Sequence, residues 1–402
     1  MKNKYRFKLL DTIIFFITRF ICFIYTRLFL GFRCRDKYRK AKNETCILLS
    51  NHQTDFDPFC IAQSLPFTFS CVATDNIFIN KFVTWIFKKI YHVIPKKKGT
   101  ADLSCVMTMC RTANAGGNIL IFPEGNRSFA EFQYFIDPDF PKILKRIKST
   151  IILYNLHGGT GIRPRFSKSK RHGKFWGEIK RVMKYEEYAN MENADILEII
   201  KSTLKVYDSD LDEKYTSSSR AEYLERMFFV CPVCKTACQM HSSHNTLTCL
   251  ACGNEVEYTE DLKLKSDNPK FGFERTIDYW NYQKRYITEL EIKEDETIFS
   301  EENVQLLLSD PFEKRKLLYK GSMKITDKGL YFGDLVHYAC NIASGSIIQS
   351  QKLVYSYQGH EYLIKGDKRF NPVKYMLLFS KIDTQLKVNG REKYYNLEED
   401  IC

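Results

Sequence analysis

An apolar stretch lies near the N-terminus, where residues 9–32 are almost continuously apolar. At 100° per residue, four polar side chains fall on one narrow stripe: Lys8, Thr12, Arg19 and Thr26. This pattern predicts an amphipathic helix with a broad apolar face. A full membrane span would bury Arg19 near the bilayer centre at about 2.5–3.5 kcal/mol, so we expect the helix to lie in the membrane interface. A transmembrane helix and a buried core helix remain alternatives.

From residue 45 to 207, short apolar segments alternate with helical periodicity. Cys46–Ser50 and residues 119–121 have the composition of buried strands. Between them, apolar positions in 103–113 repeat at helical spacing until Gly116 and Gly117 end the helix. This alternation predicts an α/β domain at 45–207, closed by a helix at 195–206 and followed by a linker at 208–226.

The C-terminal part has short alternating strands instead. We expect a helical connector at 259–310 and a β-rich module at 311–390, with strands at 317–326, 330–332, 347–357 and 361–364. Asn371 and Pro372 have the residue types of a helix cap and first turn. Several strands closed by one helix resemble a pleckstrin-homology (PH) or GRAM barrel. Residues 391–402 form a predicted tail.

The positive charge of the chain is concentrated beside the apolar helix. The chain has 61 Lys and Arg residues and 48 Asp and Glu residues, giving a net charge of +13, and residues 1–44 hold twelve basic and three acidic side chains. Such a cluster attracts nucleic acid or anionic lipid. Because it adjoins an apolar helix, we predict an anionic membrane surface as the partner, with residues 1–44 as the membrane-associating segment and no nucleic-acid partner. The predicted location is the cytoplasmic face of a membrane, peripheral or monotopic.

Directly after the first predicted strand comes a histidine followed five positions later by an aspartate, His52 and Asp57. A histidine can take the proton from a hydroxyl that attacks an acyl carbon, provided that a carboxylate orients the ring. Asp55 is the competing carboxylate. Alone, this spacing is common by chance and equally fits a surface loop.

A second polar run follows the strand at 119–121. It contains Glu124, Gly125, Asn126 and Arg127. The glycine lets the backbone come close to a ligand. Together with a carboxylate and a guanidinium, it could bind a phosphate that lies beside a hydroxyl of a polyol. Between the two runs lies a basic turn that includes Lys98, at 94–99.

Taken together, N-H-x-x-x-x-D, the basic I-P-x-x-(R/K)-G stretch and F-P-E-G-x-R-S resemble the glycerophospholipid acyltransferase family over roughly residues 40–205. The resemblance implies that His52 and Asp57 form a catalytic dyad. It also implies that Glu124, Gly125, Asn126 and Arg127 bind substrate. Lys98 stands where the family has an arginine that contacts the substrate phosphate, and Asn126 where it often has threonine. The fourth family block corresponds to residues 151–156, here without its proline.

The implied fold is a glycerolipid acyltransferase-like mixed sheet flanked by helices. The implied reaction moves a fatty acyl group from a thioester, acyl-CoA or acyl carrier protein, to a hydroxyl of lysophosphatidic acid, giving phosphatidic acid. Glycerol 3-phosphate or another lysophospholipid remains an alternative acceptor. No serine or cysteine nucleophile is needed, because the substrate supplies its own hydroxyl.

Fourteen cysteines add a further signal. Two C-x-x-C pairs, fourteen residues apart, have zinc-ribbon spacing: Cys231, Cys234, Cys249 and Cys252. Four thiolates leave no open coordination position, so the predicted ribbon at 227–258 holds a structural zinc. The nearby Cys238, His241 and His244 are alternative ligands.

A protein of another class also fits the ribbon. In this alternative, the ribbon binds nucleic acid or another protein, and the α/β part is inactive. The enzyme is favoured because both polar runs are complete and the basic charge lies beside the apolar helix.

Overall fold

The computed structural model describes residues 7–74, 81–96, 102–129, 131, 133–167, 169–310 and 313–385. The chain forms two compact units. The first comprises Met1–Lys97, Ala101–Pro164 and Lys170–Thr216, and the second comprises the remainder. Residues 208–216, at the start of the predicted linker, therefore belong to the first unit.

The first unit contains eight helices among its described residues: α1 (Leu9–Phe29), α2 (Asp57–Ile61), α3 (Lys81–Lys89), α4 (Leu103–Asn114), α5 (Phe140–Ile147), α6 (Gly159–Ile162), α7 (Tyr185–Tyr188) and α8 (Asn193–Leu204). Its strands are β1 (Phe32–Cys34), β2 (Cys46–Ser50), β3 (Phe69–Thr74), β4 (Ile94–Lys96), β5 (Asn118–Ile121), β6 (Thr150–His157) and β7 (Phe175–Met183). The strands predicted at 46–50 and 119–121 and the helices predicted at 103–113 and 195–206 are all present, with ends shifted by at most two residues.

These strands form one mixed sheet in the order β1-β7-β6-β2-β5-β3-β4. The central strand β2 pairs in parallel with β5 on one side and with β6 on the other, whereas β7 runs antiparallel to β6. Strands β2, β5 and β6 are buried at every residue, as expected of parallel strands covered on both faces.

Helices cover both faces of the sheet. One face is buried under α4, α5 and α8, whose apolar side chains join those of the central strands in one core. On the other face, Ser64 after α2 shares a hydrogen bond of 2.6 Å with the hydroxyl of Tyr154 in β6, and Phe15 of α1 contacts the ring of Phe69 in β3. The predicted α/β fold with flanking helices is confirmed.

Three polar side chains of helix α1 face the protein. Asp11 pairs with His92 at 3.0 Å, the Thr18 hydroxyl lies 2.6 Å from the Tyr91 hydroxyl, and Thr26 is fully buried. The opposite face is exposed and apolar: Leu9, Leu10, Ile13, Ile17, Phe20, Ile21, Ile24 and Leu28. Within the described part of the chain, α1 is also the one helix long and apolar enough to cross a membrane.

The second unit begins with a small antiparallel sheet of β8 (Met240–Ser243), β9 (Thr246–Cys249), β10 (Glu255–Tyr258) and β11 (Leu264–Lys265), followed by α9 (Thr276–Glu289). A second antiparallel sheet has the order β15-β14-β13-β12-β18-β17-β16. Its strands are β12 (Phe299–Leu308), β13 (Lys316–Ile325), β14 (Gly329–Phe332), β15 (Leu335–Tyr338), β16 (Ile342–Ile348), β17 (Lys352–Tyr357) and β18 (His360–Lys365), and α10 (Pro372–Gln385) follows.

The second sheet differs from the sequence-based prediction in three places, the first being that β15 was not predicted. The strand predicted at 347–357 is two strands, because Gln349 adopts a positive φ of 58° and starts a turn. The connector predicted as helical at 259–310 contains β12, whose alternation is broken by a bulge between Glu301 and Val304. At α10 the predicted cap is present, since the Asn371 side chain accepts a hydrogen bond of 3.0 Å from the Lys374 N–H. The resemblance to a PH or GRAM barrel stays a prediction.

Candidate functional site

The two polar runs lie side by side because their strands are parallel neighbours. β2 and β5 pair in register, with Leu49 opposite Ile121. The chain leaves both strands at their carboxyl ends, so both loops extend over the same edge of the sheet, where ligands of open α/β sheets bind.

In the first loop, His52 and Asp57 form a close pair. The Nδ1 atom of His52 lies 2.8 Å from Oδ2 of Asp57, and the aspartate is fully buried. Asp57 is the first residue of α2, where the helix dipole favours a negative charge. Its carboxylate also accepts the backbone N–H groups of Gln53 at 2.7 Å and Thr54 at 2.9 Å. These bonds hold the carboxylate against the ring, and a proton on Nδ1 leaves the Nε2 lone pair available to a hydroxyl.

The competing carboxylate, Asp55, has a different partner. Its side chain is 59% exposed, and its Oδ1 atom lies 3.3 Å from Nη2 of Arg127 in the second loop. The two aspartates of this loop therefore have different partners, the imidazole of His52 for Asp57 and the guanidinium of Arg127 for Asp55.

The second loop holds His52 from three directions. The ring of Phe122 stacks on the imidazole, with centroids 4.1 Å apart. The N–H of Ser128 donates to the backbone oxygen of His52 at 3.1 Å. The carboxylate of Glu124 accepts from the backbone N–H groups of His52 and Tyr134. Each polar run is therefore part of the support of the other.

Glu124 is a buried carboxyl whose pKa is raised to about 8. Burial is the main cause, and the hydrogen bonds from Tyr134 and His52 only partly oppose it. This environment favours the protonated carboxyl at neutral pH, so Glu124 serves to shape the loop more than to attract a cation.

The other predicted substrate-binding residues lie in different environments. Gly125 has a positive φ of 64°, and a Cβ atom built there would meet nothing within 4 Å. The space in front of this residue is thus open to a ligand, while its backbone conformation favours glycine. Asn126 is buried. Lys98 lies outside the described residues. The predicted fourth block is the central part of β6, beside β2.

Two residues with no role predicted from the sequence, Gln53 within the first run and the distant Asp208, also build the site. Gln53 donates through Nε2 to Asp208 at 3.1 Å and accepts the N–H of Gly159 at 2.9 Å. Asp208 also accepts the N–H groups of Gly158 at 2.7 Å and Thr160 at 3.0 Å. Neither residue was predicted from the sequence, since Asp208 was placed in a linker. The signal that could have found them is the glycine-rich segment 158–161, directly after β6.

In the second unit, the four predicted ligand cysteines come together. Their Sγ atoms all lie within 4.8 Å of one another, and the Cys231–Cys252 and Cys234–Cys249 separations are both 3.7 Å. A tetrahedral zinc with Zn–S bonds of about 2.3 Å has S–S edges of about 3.75 Å, so the geometry fits this ion. The cluster could hold a metal such as zinc.

The two knuckles share one backbone geometry. In each, the residue after the second cysteine has a positive φ, 60° at Lys235 and 72° at Gly253. In each, its N–H donates at 2.8 Å to the oxygen of the first cysteine. None of the alternative ligands Cys238, His241 and His244 belongs to the four-sulfur group found among the described residues.

Comparison with known proteins shows what part of the chain is similar to. Residues 31–153 match the family model described as Acyltransferase. The chain is also similar to the crystal structure of the 1-acyl-sn-glycerophosphate (LPA) acyltransferase, PlsC, from Thermotoga maritima, with 16% sequence identity and a TM-score of 0.37. That match covers 43% of this chain and 70% of the other. No curated protein matches the chain. The family match includes both polar runs and supports the acyltransferase part of the predicted resemblance over residues 31–153.

Proposed function

We propose that this protein is a membrane-surface acyltransferase that moves a fatty acyl group from a thioester to a hydroxyl of lysophosphatidic acid, giving phosphatidic acid. The observation that carries the proposal is the His52–Asp57 pair, 2.8 Å apart and bracketed by the second loop of an acyltransferase domain. An inactive α/β part would not require a buried carboxylate held on a partly exposed imidazole.

The reaction follows from this geometry. Nε2 of His52 takes the proton of the acceptor hydroxyl as its oxygen attacks the thioester carbonyl. Asp57 holds the ring and stabilises the imidazolium. When the tetrahedral intermediate collapses, the carbon–sulfur bond breaks, and the imidazolium returns its proton to the leaving thiolate. The products are an ester and a free thiol of coenzyme A or carrier protein, and the enzyme is unchanged.

The acceptor class is proposed from the charge near the dyad. Arg127 reaches the tip of the dyad loop, where it pairs with the exposed Asp55. A phosphate on the acceptor would compete with this carboxylate for the guanidinium, and Arg forms bidentate hydrogen bonds to phosphate. The open space in front of Gly125 would admit the glycerol part.

Helix α1 supports a location on the membrane surface. Its polar residues are used in contacts with the first unit, and its exposed face is apolar. A helix that crossed the bilayer would have to give up the Asp11–His92 pair and take Arg19 near the bilayer centre, at about 2.5–3.5 kcal/mol. Lying in the interface keeps these contacts while its apolar face enters the membrane. We propose that the bound membrane face is the cytoplasmic one.

We further propose that the four cysteines bind a structural zinc. Zinc would cross-link the two knuckles and supply no open coordination position for chemistry. Metal analysis of the purified protein should find one zinc per chain, and the Cys249→Ser variant should lose it. If the purified wild-type protein contains no zinc and Cys249→Ser melts at the same temperature as the wild type, the site is ruled out.

The central test is acyl transfer by the purified protein in lipid micelles, with acyl-CoA and each of lysophosphatidic acid, glycerol 3-phosphate and other lysophospholipids. We expect lysophosphatidic acid to be the best acceptor. His52→Ala should lower turnover by several orders of magnitude while leaving the melting temperature close to that of the wild type. If no acceptor is acylated, or if His52→Ala retains normal turnover, the proposal is wrong. The alternative of a ribbon-based binding protein would then be favoured.

A further inference from the structure

The tip of the dyad loop is flanked by a second arginine that no motif includes. The guanidinium carbon of Arg163 lies 4.9 Å from the centre of the Phe56 ring. Phe56 stands between Asp55, which pairs with Arg127, and Asp57, which pairs with His52. Two guanidinium groups thus approach adjacent residues of the loop that holds the dyad.

The backbone fixes Arg163 in this position. Arg163 follows α6 directly, and its N–H donates to the oxygen of Gly159 at 2.9 Å. Gly159 in turn donates to the side chain of Gln53, the residue after His52. A Cβ atom at Gly159 would lie 2.6 Å from Oε1 of Gln53, which shows how closely α6 and the dyad loop pack. The position of Arg163 relative to the dyad is therefore set by packed backbone.

The charge of Arg163 has no carboxylate partner among the described residues, unlike that of Arg127. The side chain is half-buried, so its cation is partly desolvated beside an aromatic ring. A phosphate monoester carries up to two negative charges, and two guanidinium groups match it better than one.

The surroundings of Phe56 place this cation near lipid. The Tyr25 ring of α1 packs on the Phe56 ring, with centroids 5.0 Å apart. Phe56 thus contacts both the arginine and the C-terminal half of the helix whose other face is apolar and exposed. A lipid acceptor with its acyl chain in the membrane would present its phosphate at this level.

We propose that Arg163 is a second phosphate-binding residue for the acyl acceptor, acting together with Arg127. The inference rests on the proposed function for the identity of the acceptor. It adds to Arg127 a second arginine that lies outside the motifs. The same guanidinium chemistry would also suit the phosphates of bilayer lipids, so the test separates these two sources.

The test compares Arg163→Met and Arg163→Lys with the wild type in detergent micelles that contain no bilayer lipid. We expect Arg163→Met to raise the KM for lysophosphatidic acid about 10- to 100-fold, the range for lost hydrogen bonds between charged groups. The KM for acyl-CoA and the kcat should change little, and Arg163→Lys should fall between. Arg146→Met is the matched control, because Arg146 is an exposed residue of α5 and its loss changes the net charge equally.

Two binding measurements complete the test. Calorimetry with short-chain lysophosphatidic acid should show weaker binding to Arg163→Met, while binding of the monoacylglycerol of the same chain length should be unchanged. Flotation with phosphatidic acid-containing vesicles should show the same membrane binding for both proteins. Unchanged calorimetry and unchanged KM would overturn the inference, as would a defect confined to vesicle binding. If the wild type binds lysophosphatidic acid through Arg163 without acylating it, the phosphate site stands and the proposed reaction fails.

Discussion

Replacing Asp57 by asparagine tests the division of roles between the two aspartates of the dyad loop. The Asp57 carboxylate accepts hydrogen bonds from Nδ1 of His52, from the backbone of Gln53 and from the backbone and hydroxyl of Thr54. An asparagine has one oxygen and one NH2 group, so one of these donors must face another donor.

If the amide oxygen stays with the backbone N–H groups, its NH2 group faces His52. The imidazole must then accept at Nδ1 and carry its proton on Nε2, where it is no longer a base toward the acceptor. From this tautomer change we expect kcat to fall by about 10²- to 10⁴-fold. This corresponds to about 3–5 kcal/mol of lost transition-state stabilisation. The loss of charge in bonds to buried donors should also destabilise the first unit by about 1–3 kcal/mol.

The matched comparison is Asp55→Asn, which removes the same charge two residues away. Its side chain contacts Arg127 and is largely exposed, so we expect a changed KM for the acceptor with kcat within about threefold of the wild type. The rate of thiol release from the thioester at saturating substrate concentrations gives kcat. Urea unfolding gives the free energy of unfolding. The reasoning is refuted if Asp57→Asn keeps kcat near the wild-type value, or if Asp55→Asn shows the larger loss of kcat.

The other predictions concern burial and the membrane. Because burial raises the pKa of Glu124 from 4.5 to about 8, the folded protein binds a proton that the unfolded chain releases, so stability should fall as the pH rises from 4.5 to 8. In Glu124→Gln this part of the pH dependence of stability, measured by urea unfolding, should vanish. An unchanged pH dependence in the variant would contradict the raised pKa of Glu124. Burial lowers the pKa of His337 to about 4, so stability of the second unit should fall as the pH drops from 6.5 to 4, and His337→Phe should flatten this dependence. Ile17→Ser on the exposed face of α1 should weaken vesicle binding by about 1.5–3 kcal/mol, whereas the equally exposed Leu250→Ser should leave it unchanged. Equal binding by both variants would speak against α1 as the membrane contact.

The parts of this structure that the sequence predicted are those with a local signal. Continuous apolar runs marked β2 and β5, and a two-glycine stop marked the end of α4, because burial and backbone conformation leave traces in neighbouring residues. The cysteine spacing predicted the four-sulfur cluster for the same reason. The break at Gln349 escaped, because its turn uses neither glycine, proline nor asparagine. The inward direction of the polar stripe on α1 also escaped, since periodicity locates a face but does not say what covers it.

What the sequence could not show is how the site is held together across long separations. Asp208 follows His52 by more than 150 residues and belongs to no motif, yet it accepts hydrogen bonds from the dyad loop through Gln53 and from the glycine-rich turn through Gly158. The neighbouring Ser209 donates its N–H at 2.8 Å to Glu131, which follows the second polar run. One buried segment therefore joins the loops that follow β2, β5 and β6. Because a buried carboxylate needs several donors to be tolerated, each of these loops is fixed by the others. In the proposed reaction the dyad motif supplies the reacting groups, and this segment keeps them at one edge of the sheet.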